Sequence, residues 1–415
     1  MAQPAQTQAQ PRPAWQTLPR NVWVVTATSF LTDISSEMIF SLLPLFLANV
    51  LGAKTSVIGL IEGVAETTAS LLKLFSGWLS DRLRARKWIT VAGYGLSAVS
   101  KPFLYAVTSW WGVLVVRFAD WVGKGIRTAP RDALVADSTG EQHRGLAFGL
   151  HRAGDTAGAA VGLLLALLIV LATQAGAATL SRDTFQVAVL LSIIPAALAV
   201  IVLALGARDV PVTSPRPAPR LTLRGFDRRF YFFLLAVVVF TLGNSSDAFL
   251  ILRAQERGLD VAGVLAMVLS FNVVYALVSG PAGALSDRVG RRRLIVGGWL
   301  IYGLIYLGFA LAAQGWQVWG LYVLYGVYYG VAEGSAKALV ADLVDPEKRG
   351  TAYGVYNAAV GLMAFPASAM AGVLWQGIGG WSGFGPGAPF LFGAALALTA
   401  VAILIWGVRG KPAGA

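Results

Sequence analysis

Twelve mostly apolar stretches limit what this chain can become. They lie near 21–50, 57–79, 88–107, 110–136, 145–173, 184–206, 230–255, 261–284, 294–313, 316–342, 350–377 and 387–408. About 20 such residues carry a helix across the hydrocarbon core of a bilayer, where the backbone must satisfy its own hydrogen bonds. The spacing therefore predicts an all-α integral membrane protein with twelve transmembrane helices. Charged residues make up 13% of the chain, about half the share in a soluble domain. The net charge of +12 sits mainly in short loops, which points to an anionic membrane surface and not to nucleic acid. With no cysteine and only His143 and His151, thiol chemistry is excluded and a histidine-built metal site is argued against.

The loops carry a repeat. Gly77–Lys87 reads GWLSDRLRARK, and Gly283–Arg293 reads GALSDRVGRRR, offset by 206. Ala133–Asp137 (ALVAD) recurs as Ala338–Asp342, and His143–Gly145 as Lys348–Gly350, both offset by 205. Phe30 through Ser35, Ser36 and Glu37 recurs as Phe240 through Ser245, Ser246 and Asp247, offset by 210. Six helices repeated in one orientation give two parallel halves, with a binding site near the midplane between them. The boundaries read as a disordered tail (1–20), a six-helix bundle (21–207), a Pro-rich basic linker (208–229), a second bundle (230–408) and a short tail (409–415). Residues 1–20 lack the apolar core of a signal peptide. The basic loops alternate with loops that keep only Lys54, Arg182 and Arg257. By the positive-inside rule, both tails and the linker are expected on the cytoplasmic side of a bacterial inner membrane.

These features resemble the major facilitator superfamily over nearly the whole chain. Gly283–Arg292 fits that family's loop motif, G-x-x-x-D-R/K-x-G-R/K-R/K, at every position. The first copy has Arg84 where glycine is usual and Ala85 where a base is usual. The resemblance implies two pseudo-symmetric bundles that rock by alternating access, and a monomer. It also implies a cytoplasmic latch of Gly77, Asp81, Arg82 and Asp137, with Arg84 or Arg86 as its base. The second copy would supply Gly283, Asp287, Arg288, Arg291 and Asp342. Arg117–Gly123 is similar to the family's fourth-helix motif, with Asp120 replacing glutamine and Trp121 replacing glycine. Gly154, Gly158 and Gly162 resemble the glycine-rich fifth helix of exporters, with Leu163 where that motif has proline. The same row reads equally as small-residue helix packing.

Charges inside a membrane are costly and face a cavity or each other. The first half holds Asp33 and Glu37, Glu62 and Glu66, Lys101, then Arg117, Asp120, Lys124 and Arg127, and finally His151, Arg152 and Asp155. Several are spaced i, i+4 and so share a helix face. Asp33, Glu37, Asp120, Asp155 and His151 are the proton-coupling candidates. Lys124, Arg127 and Arg152 are candidates for holding a substrate anion or balancing those acids. The same charges read alternatively as structural ion pairs between helices. In the second half Tyr322, Tyr325 and Tyr329 stand at the positions of Arg117, Asp120 and Lys124. Tyr325, Tyr329, Glu333, Asn244, Asp247, Tyr356 and Asn357 are expected to shape the substrate pocket, whereas Tyr322 reads as packing near a helix end. No G-x-x-x-x-G-K-S/T motif is present, so the proton gradient is the expected driving force and no cofactor is expected. The reading is a proton-coupled secondary transporter of a small organic solute, favouring export by antiport and not an enzyme. Proton symport of an organic anion, or a sensor that kept the fold, are the alternatives.

Overall fold

The computed structural model describes residues 18–210, 225–345 and 348–408, with backbone alone at 141, 280–289, 332–335 and 337. The described chain is a bundle of twelve helical rods. The first six are α1 (Arg20–Phe40, continued by Leu43–Leu45 and Phe46–Val50), α2 (Thr55–Leu83), α3 (Arg86–Ser100, continued by Lys101–Tyr105), α4 (Trp110–Ser138), α5 (Arg144–Gln174) and α6 (Arg182–Gly206). The second six are α7 (Arg228–Gly243, resuming as Ala248–Glu256), α8 (Val261–Val289), α9 (Arg291–Leu311), α10 (Gly315–Leu343), α11 (Arg349–Gln376) and α12 (Ala388–Gly407).

The twelve rods agree with the twelve helices expected from the sequence, and among the described residues eight are long and apolar enough on their own to cross a membrane. The four that are not are α2, α3, α4 and α10. In α2 and α4 the reason is physical: both carry interior charges that face protein, so neither needs to be apolar all round. In α10 the side chains at 332–335 and 337 lie outside the described residues. Leu168, Leu205, Leu277, Leu304 and Leu311 are exposed on the bundle's exterior, as a lipid-facing surface requires.

Consecutive rods run in opposite directions. Asn21 Nδ2 donates to Ser138 Oγ at 2.8 Å and to the Arg208 carbonyl at 2.9 Å, so the start of α1 lies beside the ends of α4 and α6. Arg292 reaches the Ile405 carbonyl at 2.8 Å, which brings the start of α9 to the end of α12. The repeated charged loops lie on this basic face.

Helices α1–α6 pack among themselves, as do α7–α12, and the halves meet mainly through α2 against α11 and α5 against α8. The α2–α11 seam is closest toward the face opposite the basic one. Thr55 N donates to Gln376 Oε1 at 2.9 Å, and Thr67 Oγ1 donates to the Gly361 carbonyl at 2.7 Å. Glycines permit this approach: a Cβ on Gly59 would overlap the Ser368 carbonyl, and one on Gly63 would lie 2.9 Å from the Phe365 backbone. At the same face Asn49 and Gln255 exchange amide hydrogen bonds of 3.1 and 2.8 Å between α1 and α7. The halves are joined across that face.

Two rods expected to be continuous are broken. Helix α1 bends at 41–42 and ends in a π turn, because Pro44 lacks an N–H and clashes with the preceding turn. Helix α7 is interrupted at Asn244–Asp247. Short polar side chains there compete for the backbone, as when Ser246 Oγ accepts from Ala248 N at 3.3 Å.

In the first repeated loop it is Arg86, and not Arg84, that contacts the acids. Arg86, only 3% exposed, donates to Asp81 at 2.9 Å and to the Ala133 carbonyl at 3.3 Å, and also pairs with Asp137. Arg84 is exposed and holds φ at +49°, the left-handed conformation that explains the family's glycine at this position. The second copy repeats the pattern: Arg291 contacts Asp342 at 2.5 Å and the Ala338 carbonyl at 3.1 Å, and Gly290 has φ at +91°. Gly77 is buried, and Arg82 is exposed over the Trp78 ring. The side chains of Asp287 and Arg288, like Gly283, lie outside the described residues.

Candidate functional site

Between the halves lies a cavity of about 440 Å³, bordered by the breaks in α1 and α7. Glu37, Phe40, Ser41 and Pro44 of α1 line it, with Glu62 and Glu66 of α2 and Arg117 and Trp121 of α4. The second half contributes Asn244–Ala248, Phe271, Asn272, Tyr322, Tyr325 and Tyr329. Among these lining residues four are acids, Glu37, Glu62, Glu66 and Asp247, and one is a base, Arg117.

Arg117 is already engaged. It donates to Glu62 at 2.9 Å, and its guanidinium lies 4.0 Å from the Phe40 ring centre and 5.1 Å from that of Trp121. Glu62 is thereby neutralised, while Glu37, Glu66 and Asp247 keep an acidic excess on both sides of the space. Lys124, exposed beside the cavity, acts electrostatically on Glu37 and Glu66 and lies 4.3 Å from the Trp121 ring centre.

The second half builds its wall from phenols around the α7 break. Tyr302 Oη donates to the Gly243 carbonyl at 3.0 Å and to Asn244 Oδ1 at 3.3 Å. Tyr325 Oη lies 3.4 Å from Asp247 Oδ1 and 3.5 Å from Asn244 Oδ1. A smaller cavity of about 290 Å³ adjoins the first through Thr241, Asn244 and Tyr329, and Tyr356 and Asn357 line it. The arrangement presents carboxylates and aromatic ring faces to one shared space.

The sequence and its relatives agree with this architecture. The model of the Major Facilitator Superfamily matches residues 25–368 and 232–414. The chain belongs to the major facilitator superfamily. A relative described as an uncharacterized MFS-type transporter of Methanocaldococcus jannaschii is 35% identical over 94% of this chain and 95% of its own. A class G tetracycline resistance protein of Vibrio anguillarum is 26% identical over 83% of this chain and 88% of its own. Among solved structures, the POT family transporter PepTSo superposes with a TM-score of 0.76 at 12% identity, covering 95% of this chain and 98% of that one. The protein is a multi-pass membrane transporter and not an enzyme.

In this transporter the predicted residues fall in several places. Glu37, Asn244, Asp247, Tyr325 and Tyr329 line the central cavity, and Tyr356 and Asn357 the adjoining one. Asp33, Asp155 and His151 lie instead between α1 and α5, where His151 Nδ1 is 3.8 Å from Asp155 Oδ1. Asp120 is buried and does not line the cavity, and its backbone carbonyl accepts from Ser97 Oγ of α3 at 3.0 Å. Arg127 turns toward α3, donating to Ser97 at 2.8 Å over the Tyr94 ring. Arg127 is therefore not a cavity-lining base. Arg152 bridges the halves, donating to Tyr275 Oη at 2.5 Å. The side chain of Glu333 lies outside the described residues. Tyr322 lines the central cavity with 2% exposure, where the sequence suggested packing near a helix end. Glu62, Glu66, Arg117, Trp121 and Phe271 also line it without having been singled out for the site. Their signal was present: Glu62 and Glu66 are spaced i, i+4 on one face of α2.

Proposed function

We propose that this transporter exports a cationic amphipathic compound across the bacterial inner membrane in exchange for protons. The acidic excess of the central cavity carries this reading: Glu37, Glu66 and Asp247 face a space walled by aromatic rings. Ring faces attract cations, and the acids take up protons when no cation is present. Substrate and proton then exclude each other, which is the condition for antiport. Asp33, Asp120 and Asp155 stand behind Glu37 as further proton carriers. Relatives named for tetracycline and multidrug resistance support the export direction. Uptake of an organic anion draws less support, because Arg117 and Arg127 are engaged within the protein.

The positive-inside rule assigns the basic face, both tails and the linker to the cytoplasm. The state described above is then closed outward, with the 21–207 and 230–408 bundles acting as the rocking units of a monomer.

The test uses purified protein in proteoliposomes under a pH gradient, with ethidium and tetraphenylphosphonium as cationic probes and fluorescein as an anionic one. Cation flux should follow the gradient and vanish when it is collapsed. Glu37→Gln or Asp247→Asn should weaken cation binding by about 2 kcal/mol or more, the cost of removing one partner from a buried charge pair. Gradient-driven fluorescein flux, or cation binding unchanged in both variants, would overturn the reading.

A further inference from the structure

Four buried polar atoms in one seam make no hydrogen bond within the protein: Thr26 Oγ1, both ring nitrogens of His151, and Asp155 Oδ1. His151 is 4% exposed and Thr26 is 9% exposed. Buried polar atoms are nearly always satisfied, and a cluster of exceptions calls for water or chemistry. The seam is where α1 meets α5. Gly154, one turn from His151 and adjacent to Asp155, abuts Thr26, since a Cβ there would lie 2.6 Å from the threonine methyl. Higher up, a Cβ on Gly158 would overlap the Phe30 carbonyl, and one on Gly162 would lie 2.6 Å from the Ile34 carbonyl oxygen. The seam is thus too tight for a substrate, and its unsatisfied atoms suit water.

The titratable groups rise in order from the basic face. Thr26 and His151 lie about two turns into their helices, Asp155 about one turn further, and Asp33 and Glu37 beyond them. Asp33 interacts electrostatically with Asp155, Glu37, Arg127 and Lys124. His151 faces Arg131 and Asp132 of α4 as well as Asp155 and Arg152 of its own helix. Arg131 is held by Asp132 at 2.9 Å and reaches Ser29 Oγ at 3.4 Å. Glu37 belongs both to this series and to the central cavity wall, so it joins the two.

We propose that the α1–α5 seam holds ordered water on Thr26, His151 and Asp155, forming a proton path from Asp33 to the basic face that is separate from the substrate's route. This rests on the proton coupling proposed above. A proton leaves Glu37 for Asp33, then Asp155, and crosses His151 by being taken at one ring nitrogen as another leaves from the opposite nitrogen. No electron moves and no bond other than those to hydrogen changes. A cation can then enter the cavity from the basic face without meeting the departing proton.

The chain has two histidines, so ¹⁵N-histidine labelling of the full protein in lipid nanodiscs gives one probe and one reference. His143 is exposed before α5 and serves as the reference. The His151 ring N–H should exchange with water nearly as fast as that of His143. Thr26→Val should slow it by an order of magnitude at unchanged thermal stability, and Thr26→Ser should restore it. Slow His151 exchange in the natural protein, or equal exchange in Thr26→Val, would overturn the path. Coupling is read separately: if gradient-driven ethidium flux is absent from the natural protein, the proton-antiport reading fails while the exchange data still decide whether the seam is wet.

Discussion

Arg86 shows how one side chain can hold a loop and two helices. Its guanidinium serves Asp81, Asp137 and the Ala133 carbonyl, and Asp81 is only 1% exposed. Removing the base breaks a buried ion pair, so Arg86→Ala should cost about 3–5 kcal/mol, seen as a large fall in the thermal midpoint in detergent. The Asp137 side chain is 30% exposed, and Asp137→Asn should cost well under half as much. Arg84 offers the opposite case. A non-glycine residue in the left-handed region costs about 1–2 kcal/mol, so Arg84→Gly should raise the midpoint by a few degrees, less glycine's own entropic loss. Both residues were visible as candidates for one role in GWLSDRLRARK. Spacing left the choice open, because the turn at Arg84 decides which base points back toward α4. The same limit applied inside the membrane: Lys124 and Arg127 share a broad face, yet one is exposed beside the cavity and the other is packed on Ser97 and Tyr94. Only the neighbouring helix separates them.

At the scale of the helix, glycine placement controls how the halves meet. Gly59 and Gly63 of α2 lie against the backbone of α11, and Gly372 of α11 lies against Thr55 and Ser56. A branched side chain at Gly59 cannot fit while that seam is closed. Gly59→Val should therefore shift the population toward a form with the α2 and α11 ends separated. Spin labels on single cysteines near Lys54 and Gly377 would report this as a longer distance, and the chain has no native cysteine to remove. An unchanged distance distribution would contradict the assignment of this seam as a gate. The rods themselves were legible because twenty apolar residues leave little alternative. Their breaks were less so, although a trace existed. The repeat offset falls from 210 at Glu37 to 206 at Asp81, so the second half is about one helical turn shorter between those points, and α1 bends within that stretch of the first half.

Across the whole molecule, the duplication was readable because matching loops on matching helices demand parallel halves. The central site was only partly readable. Intramembrane acids announce themselves, but which of them share a cavity depends on how two bundles face each other, and no local spacing encodes that. The halves have also diverged in chemistry, with carboxylates and bases on one side and tyrosines on the other, so symmetry could not supply the missing assignments. One symmetric feature does remain at the sealed face: Asn49 and Gln255 stand 206 residues apart and clasp each other by two amide hydrogen bonds. The basic face carries ion pairs instead, Arg86 with Asp81 inside one half and Arg291 with Asp342 inside the other. Amides neither titrate nor attract counterions. The clasp between the halves should therefore hold equally well in acid or alkali and in fresh or saline surroundings. Spin-label distances across that face should not change with added salt. In the orientation proposed above, a cell carrying this transporter would keep its outward door indifferent to the weather outside.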